Sequence, residues 1–159
     1  MKIMAKFLII ESRDDNDVLD MLLAGAEAEL TKLGAEFDIV TVPGSFELPA
    51  ALAMAMETEI YDAFVVLGCA IKGQTAHYEY INSQSLQAIN NLAVECGLAV
   101  GCAILTVDSK EQALSNADVK QKNKGGEAAK AAFEMLALKN HFHNLFLEHE
   151  ADIEEEELV

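Results

Sequence analysis

Val65-Val66-Leu67-Gly68-Cys69-Ala70-Ile71-Lys72-Gly73-Gln74-Thr75-Ala76-His77-Tyr78 is the stretch that decides the fold. Val65 to Leu67 are bulky apolar residues without polar alternation, as in a strand of a parallel sheet covered by helices on both faces. Gly68 and Gly73 bracket the short loop that follows, and Thr75 is suited to start the next helix. Ligands of open α/β sheets bind at such carboxyl ends of strands, beside helix N-termini. His77 then falls near that rim, where the chemistry is expected.

Working outward, the same strand-then-helix unit recurs. Phe7-Leu8-Ile9-Ile10, within Lys6 to Glu11, reads as a first strand and ends in the polar turn Ser12-Arg13-Asp14-Asp15-Asn16-Asp17. Asp17 is placed to cap a helix with Val18, Met21, Leu22, Ala26, Leu30 and Leu33 on one stripe, ended by Gly34. Phe37 to Val42 reads as a second strand stopped by Pro43-Gly44, and Pro49 fits the first turn of the following helix. After the central strand, Tyr78, Ile81, Ser85, Ile89 and Leu92 share a broad helical face that Gly97 ends. Leu98 to Thr106 is a fourth strand with small residues, Gly101-Cys102-Ala103, at its middle. Ser109 and Gln112 have capping-box spacing for a short helix. A polar loop, Asn116 to Gly126, holds Lys120, Lys122 and Lys124. The last helix carries Ala128, Ala129, Ala132, Phe133, Met135 and Leu138 and is expected to reach toward Phe146. This order predicts an α/β, flavodoxin-like three-layer sandwich with four parallel strands. The expected organisation is one domain over 1–147 and a mobile acidic tail over 148–159, since four consecutive acids end the chain's charged sequence.

The 159 residues carry a formal charge of −16, seven of the acids lying between Glu148 and Glu157. The remainder still carries −9, so no basic stripe exists to displace the counterions of a nucleic acid. A small anion held by a few local lysines stays compatible with that balance. No apolar run is long enough to span a bilayer, so a membrane partner is not expected. Three cysteines, Cys69, Cys96 and Cys102, make no even disulfide framework, and a reducing, cytoplasmic setting is the simpler expectation.

Several residues suggest chemistry, each with a plainer alternative. Histidine is a residue type suited to proton transfer, so His77 either serves that role or is a first-turn surface histidine. Phe46 and Glu47 face the same rim, or serve as a core ring and a helix-start acid. Lys124-Gly125-Gly126 at a helix start suits an anion, or is a solvated lysine-rich turn. Gly68 to Gly73 lacks both the dinucleotide fingerprint and the Gly-Lys-Ser/Thr end of a phosphate loop. Cys69 and Cys102 read as small, mostly buried apolar side chains. His141 and His143 have no third ligand at useful spacing, so no metal is expected.

Taken together, these stretches resemble the 6,7-dimethyl-8-ribityllumazine synthase family. Pro43-Gly44-Ser45-Phe46-Glu47-Leu48-Pro49 is similar to its Pro-Gly-Ala/Ser-Phe-Glu-Ile/Leu-Pro motif, and Gly68 to Tyr80 to its Gly-x-x-Ile-Arg-Gly-x-Thr-x-His-Phe/Tyr-x-Tyr motif. Leu105-Thr106-x-Asp108, Glu111-Gln112-Ala113 and Asn123-Lys124-Gly125-x-Glu127-Ala128-Ala129 resemble the remaining pattern in family order and spacing. The resemblance spans nearly everything from Lys6 to Leu138. It implies condensation of 5-amino-6-(D-ribitylamino)uracil with 3,4-dihydroxy-2-butanone 4-phosphate, with loss of phosphate and water and without metal or organic cofactor.

Under this resemblance His77 corresponds to the proton-transfer histidine. Phe46 and Glu47, with Ser45 beside them, match positions that hold the ribitylaminouracil. Cys69, Ala70 and Ile71 match backbone that meets the pyrimidine. Gln74 and Thr75 match a phosphate-binding turn, and Lys124 a lysine near the phosphate. The chain departs from the pattern where an aromatic is usual, at Asp14 and Cys102, at the following Asp15, at Lys72 in place of Arg, and at Asn116 in place of a phosphate-binding arginine. An arginine is a bidentate fork and an asparagine is not. These departures leave a second reading open, a weakly active or non-catalytic homologue that binds a flavin-like ligand or serves as an assembly. The resemblance also implies a homopentamer, which in some members grows to a decamer or a 60-subunit shell. In it the N-terminal segment extends a neighbour's sheet, and the Asn116–Lys124 side completes a neighbour's site.

Overall fold

In a computed structural model of the chain, the described residues are 5–73 and 77–159. The strands are β1 (Lys6–Ser12), β2 (Glu36–Val42), β3 (Ala63–Ile71) and β4 (Ala99–Val107). The helices are α1 (Asn16–Lys32), α2 (Leu48–Met56), α3 (Tyr78–Cys96), α4 (Lys110–Ala117) and α5 (Lys124–Glu157), with a 3₁₀ turn at Ser45–Glu47 before α2. All strand pairings are parallel, in the order β2-β1-β3-β4. The expected four-stranded α/β sandwich is therefore the observed one.

Alternation along the strands builds two cores, one on each face of the sheet. Phe7 and Ile9 of β1 point to the layer of α1, α4 and α5, where Leu22, Leu30, Ala129 and Ala132 are fully buried. Leu8 and Ile10 point the other way, onto Leu48 and Leu52 of α2 and Ile89 of α3. β3 is buried along almost its whole length, as its unbroken apolar run predicts. The small middle of β4 also has a packing reason. A Cβ on Gly101 would lie 1.8 Å from the carbonyl oxygen of Ala128, so the glycine lets α5 lie directly against the strand.

Two details differ from the sequence reading. Asp15, not Asp17, caps α1: its carboxylate accepts the N–H of Val18 at 3.2 Å. Asp17 instead sits in the first turn and pairs with Lys110 at 2.9 Å. At α4 the expected cap is present, Ser109 accepting from Gln112 N–H, while the Gln112 side chain reaches back to the N–H of Asp108.

The larger difference is α5, a single helix of 34 residues that passes Phe146 and the boundary at 147/148 without a break. Extending an existing helix avoids the nucleation cost, and glutamate is a good helix former, so the acidic block does not end it. From position 137 onward every residue is exposed. Among the described residues no helix is long and apolar enough to cross a membrane.

Candidate active site at the carboxyl ends of β1 and β3

The chain runs from β1 outward to β2, then returns across β1 to β3, so strand order reverses between β1 and β3. In open parallel sheets that switch point leaves a crevice beyond the carboxyl ends of the strands. A cleft of about 300 Å³ lies there. Its walls are Asp14 after β1, Gly44 to Glu47 after β2, Cys69 to Ile71 at the end of β3, and Ile81 and Asn82 of α3. Seven positions expected from sequence thus meet in one place: Asp14, Ser45, Phe46, Glu47, Cys69, Ala70 and Ile71.

Asp14 ties three of these walls together. Its carboxylate accepts hydrogen bonds from the hydroxyls of Ser12 and Ser45, from Ser45 N–H at 3.2 Å and from Cys69 N–H at 3.4 Å. Gly68 makes this convergence possible, since a Cβ there would stand 2.9 Å from both serine hydroxyls. Ser85 of α3 adds a fourth wall by donating to Ser45 C=O at 2.8 Å. Where an aromatic ring was the family expectation, the chain holds a hydrogen-bonded carboxylate that orders the cleft's floor.

Phe46 is 69% exposed, so its ring is presented to the cleft rather than buried in the core. This removes the core-ring alternative. Glu47 is also exposed, at the first turn leading into α2. His77 occupies the N-terminal cap position of α3 with φ of 65°, a left-handed conformation that a histidine adopts at a cost. Its carbonyl accepts the N–H of Ile81, a cleft residue, at 3.1 Å, which places His77 one turn from the cleft wall. Gln74 and Thr75 lie outside the described residues, as does the expectation that Thr75 starts α3.

Asn82 was missed from sequence. It is 1% exposed, and its amide donates to Leu105 C=O at 3.0 Å and to the Thr106 hydroxyl at 2.9 Å. Its side-chain oxygen is buried without a partner among the described residues. The available signal was spacing: Asn82, Ser85 and Ile89 form one helical face, so an asparagine there had to be buried.

The remaining expected residues do not join this cleft within one chain. Asn116 lines a separate cleft of about 490 Å³ with Lys122, Ser109 and Gln112, and its amide donates to Gln112 C=O. Cys102 and Lys124 line a third, of about 370 Å³, with Leu86 and Ile104. Lys124 stands at the start of α5, its ammonium 2.8 Å from Glu127. Cys69 is buried as expected, and desolvation, reinforced by Asp15 and Asp14, pushes its thiol up to about 12. Cys102 corrects the sequence reading: it is exposed, because it points outward from an uncovered stretch of β4. Desolvation by the surrounding protein still raises its thiol to about 11, a rise that its contact with solvent tempers. Neither is a thiolate near neutrality, which argues against a cysteine nucleophile.

Residues 4–140 match the family description 6,7-dimethyl-8-ribityllumazine synthase. Among curated relatives, the 6,7-dimethyl-8-ribityllumazine synthase of Zymomonas mobilis is 49% identical over 136 residues, covering 86% of this chain and 97% of its own length. That of Novosphingobium aromaticivorans is equally similar, 49% over 136 residues, with the same coverage of 86% and 97%. That of Erythrobacter litoralis is 47% identical over 139 residues, 87% of this chain and 99% of its own. A family match over residues 4–140, which takes in the sheet, the cleft and the first half of α5, leaves no room for an accidental motif match, and the chain belongs to the 6,7-dimethyl-8-ribityllumazine synthase family.

Proposed function

We propose that the chain catalyses the lumazine synthase condensation in riboflavin biosynthesis, joining 5-amino-6-(D-ribitylamino)uracil to 3,4-dihydroxy-2-butanone 4-phosphate with release of phosphate and water. The observation that carries this reading is the cleft at the β1/β3 switch point, lined by the sequence blocks that carry the family resemblance. Its alternative, a homologue without turnover, is not favoured by relatives that carry the synthase name at up to 49% identity.

In this reading Phe46 stacks on the pyrimidine, Glu47 accepts ribityl hydroxyls, and Cys69 to Ile71 offer backbone groups to the ring edge. The substrate amine attacks the ketone and water leaves to form an imine. Phosphate is eliminated to an enol that becomes a second ketone, and the ribityl-bearing amine attacks that carbonyl and closes the ring with loss of a second water. None of these steps calls for a protein nucleophile or a cofactor. Holding two substrates together supplies much of the rate, and His77 moves protons at the cleft's rim. Gln74, Thr75 and Lys124 bind the leaving phosphate.

The separation of Asn116 and Lys124 from the main cleft supports a site completed by a neighbouring copy in a homopentamer, set in the cytoplasm. Ile39 and Val40 are 39% and 40% exposed on the edge strand β2, a surface suited to an added strand from that neighbour's N-terminal segment. The test is a turnover assay with both substrates, following lumazine optically, with His77→Ala as control. Turnover that falls in the control is the expected result. No turnover at any concentration of butanone phosphate overturns the reading, and a monomer by light scattering overturns the shared site.

A further inference from the structure

The family match ends at residue 140, while α5 continues as helix to Glu157. Over this projecting part Leu138, Phe142, Leu145, Phe146 and Ile153 are each at least 43% exposed. At 3.6 residues per turn they fall, with His149, on one continuous stripe. That stripe is rotated by roughly a third of a turn from Ala128, Ala129, Ala132 and Leu136, the residues α5 buries against its own sheet. The chain's own core therefore does not cover it. A solitary projecting helix of this length is marginal in water, so its apolar stripe calls for a cover.

Charge selects the cover. Positions 137–147 hold Lys139, His141 and His143 and no acid, whereas 148–157 hold seven acids and no lysine or arginine. A parallel pair of these helices sets two acidic ends side by side. An antiparallel pair instead sets the two acidic ends at opposite ends of the pair. With Phe142 aligned to Leu145 and Lys139 to Glu148 of the second copy, each acidic end runs along 130–139, which holds Lys130 and Lys139 against one acid, Glu134. We propose that the projecting half of α5 pairs antiparallel with the same segment of a second copy of this chain. Such a pair carries a two-fold axis, so it joins two of whatever assembly the rest of the chain forms. The inference does not depend on the catalytic reading.

The experiment compares the full chain with Phe142→Asp/Phe146→Asp by light scattering at equal concentration, with circular dichroism to verify folding. The full chain is expected to have at least twice the variant's mass. Equal masses for the two folded proteins overturn the proposal and leave the stripe to a partner of different chemistry. Orientation is read separately, without altering the stripe, by dipolar spectroscopy on a spin label at Glu157→Cys in a Cys96→Ser/Cys102→Ser background. Antiparallel pairing sets the labels about 40 Å apart at 1.5 Å per residue. A label separation under about 20 Å, as a parallel pair sets them, overturns it, as does the absence of any dipolar coupling between copies.

Discussion

The carboxylate of Asp14 accepts both the N–H of Ser45, at 3.2 Å, and its hydroxyl, at 2.8 Å, across 31 positions of chain. Through this contact the end of β1 sets the turn that presents Phe46 and Glu47. Removing the carboxylate by Asp14→Ala leaves the buried hydroxyls of Ser12 and Ser45 poorly satisfied. Leaving such groups unpaired costs about 1–3 kcal/mol. The denaturation midpoint is expected to fall, with Asp14→Asn in between. Weakened binding of the ribitylaminouracil should accompany it, measured as a raised KM. An unchanged midpoint rules out the structural part of this role.

Gly68 is needed for space rather than for backbone freedom. Its replacement by alanine drives a methyl to within 2.9 Å of two hydroxyls and 3.1 Å of Leu48. Overpacking of this kind costs about 1–3 kcal/mol, and here it also deforms the cleft floor. Gly34→Ala is the control, because its φ of 73° is strained for alanine but nothing lies within 4 Å. Both variants are expected to lose stability in denaturant titrations, while only Gly68→Ala loses turnover beyond the loss of folded protein.

His77 carries two roles that one substitution confounds. Alanine removes the imidazole and also sits poorly at φ of 65°. Asparagine tolerates that conformation and so isolates the chemistry. Under the proposed function, His77→Asn keeps the melting temperature and lowers kcat by about 10²-fold or more, the range for a lost general acid–base group. Wild-type kcat in His77→Asn removes the histidine from proton transfer.

Burial of the Cys69 thiol makes stability sensitive to alkaline pH. Its folded value of about 12 lies above the ordinary 9.0, so the folded state holds the proton more tightly. That contribution is intact below about pH 9 and is lost as pH rises toward 12, at up to about 1.4 kcal/mol per pH unit. The stability advantage of the wild type over Cys69→Ala should therefore shrink as pH rises from 9.0 toward about 12, a window set by those two values. Iodoacetamide at pH 8 should modify the exposed Cys96 well before Cys69.

Local chemistry made most of the fold legible. The apolar runs Phe7–Ile10 and Val65–Leu67, the stop at Pro43-Gly44 and the helix end at Gly97 each depend on neighbours in sequence. What escaped depends on distance. Lys110, 93 positions from Asp17, pairs with both Asp17 and the capping Asp15, a contact that local spacing does not reveal. Asn82 was hidden because its partners, Leu105 and Thr106, come from another element. The acidic block, expected as a mobile tail from its local repulsion, continues as helix because α5 already leads into it. At the site, Asp14, Ser45 to Glu47 and Cys69 to Ile71 line one cleft, but a single chain holds Asn116 and Lys124 in other clefts.

Asn116 and Lys122 share one cleft, so the chain has a cation where the family resemblance led us to expect an arginine. The lysine is a point charge, while an arginine offers two parallel donors to a phosphate. If this face meets the phosphate in the assembled protein, Asn116→Arg adds a charge-assisted contact worth about 1.5–3 kcal/mol. The KM for butanone phosphate should then fall about tenfold or more, with little change for the uracil substrate. Lys122→Ala should raise the same KM, and the change caused by Asn116→Arg should differ between the Lys122 and Lys122→Ala backgrounds because both groups act on one phosphate. Kinetics that vary only the butanone phosphate decide it. Indifference of that KM to both substitutions means the phosphate is held elsewhere, by Lys124 and the turn before α3 alone.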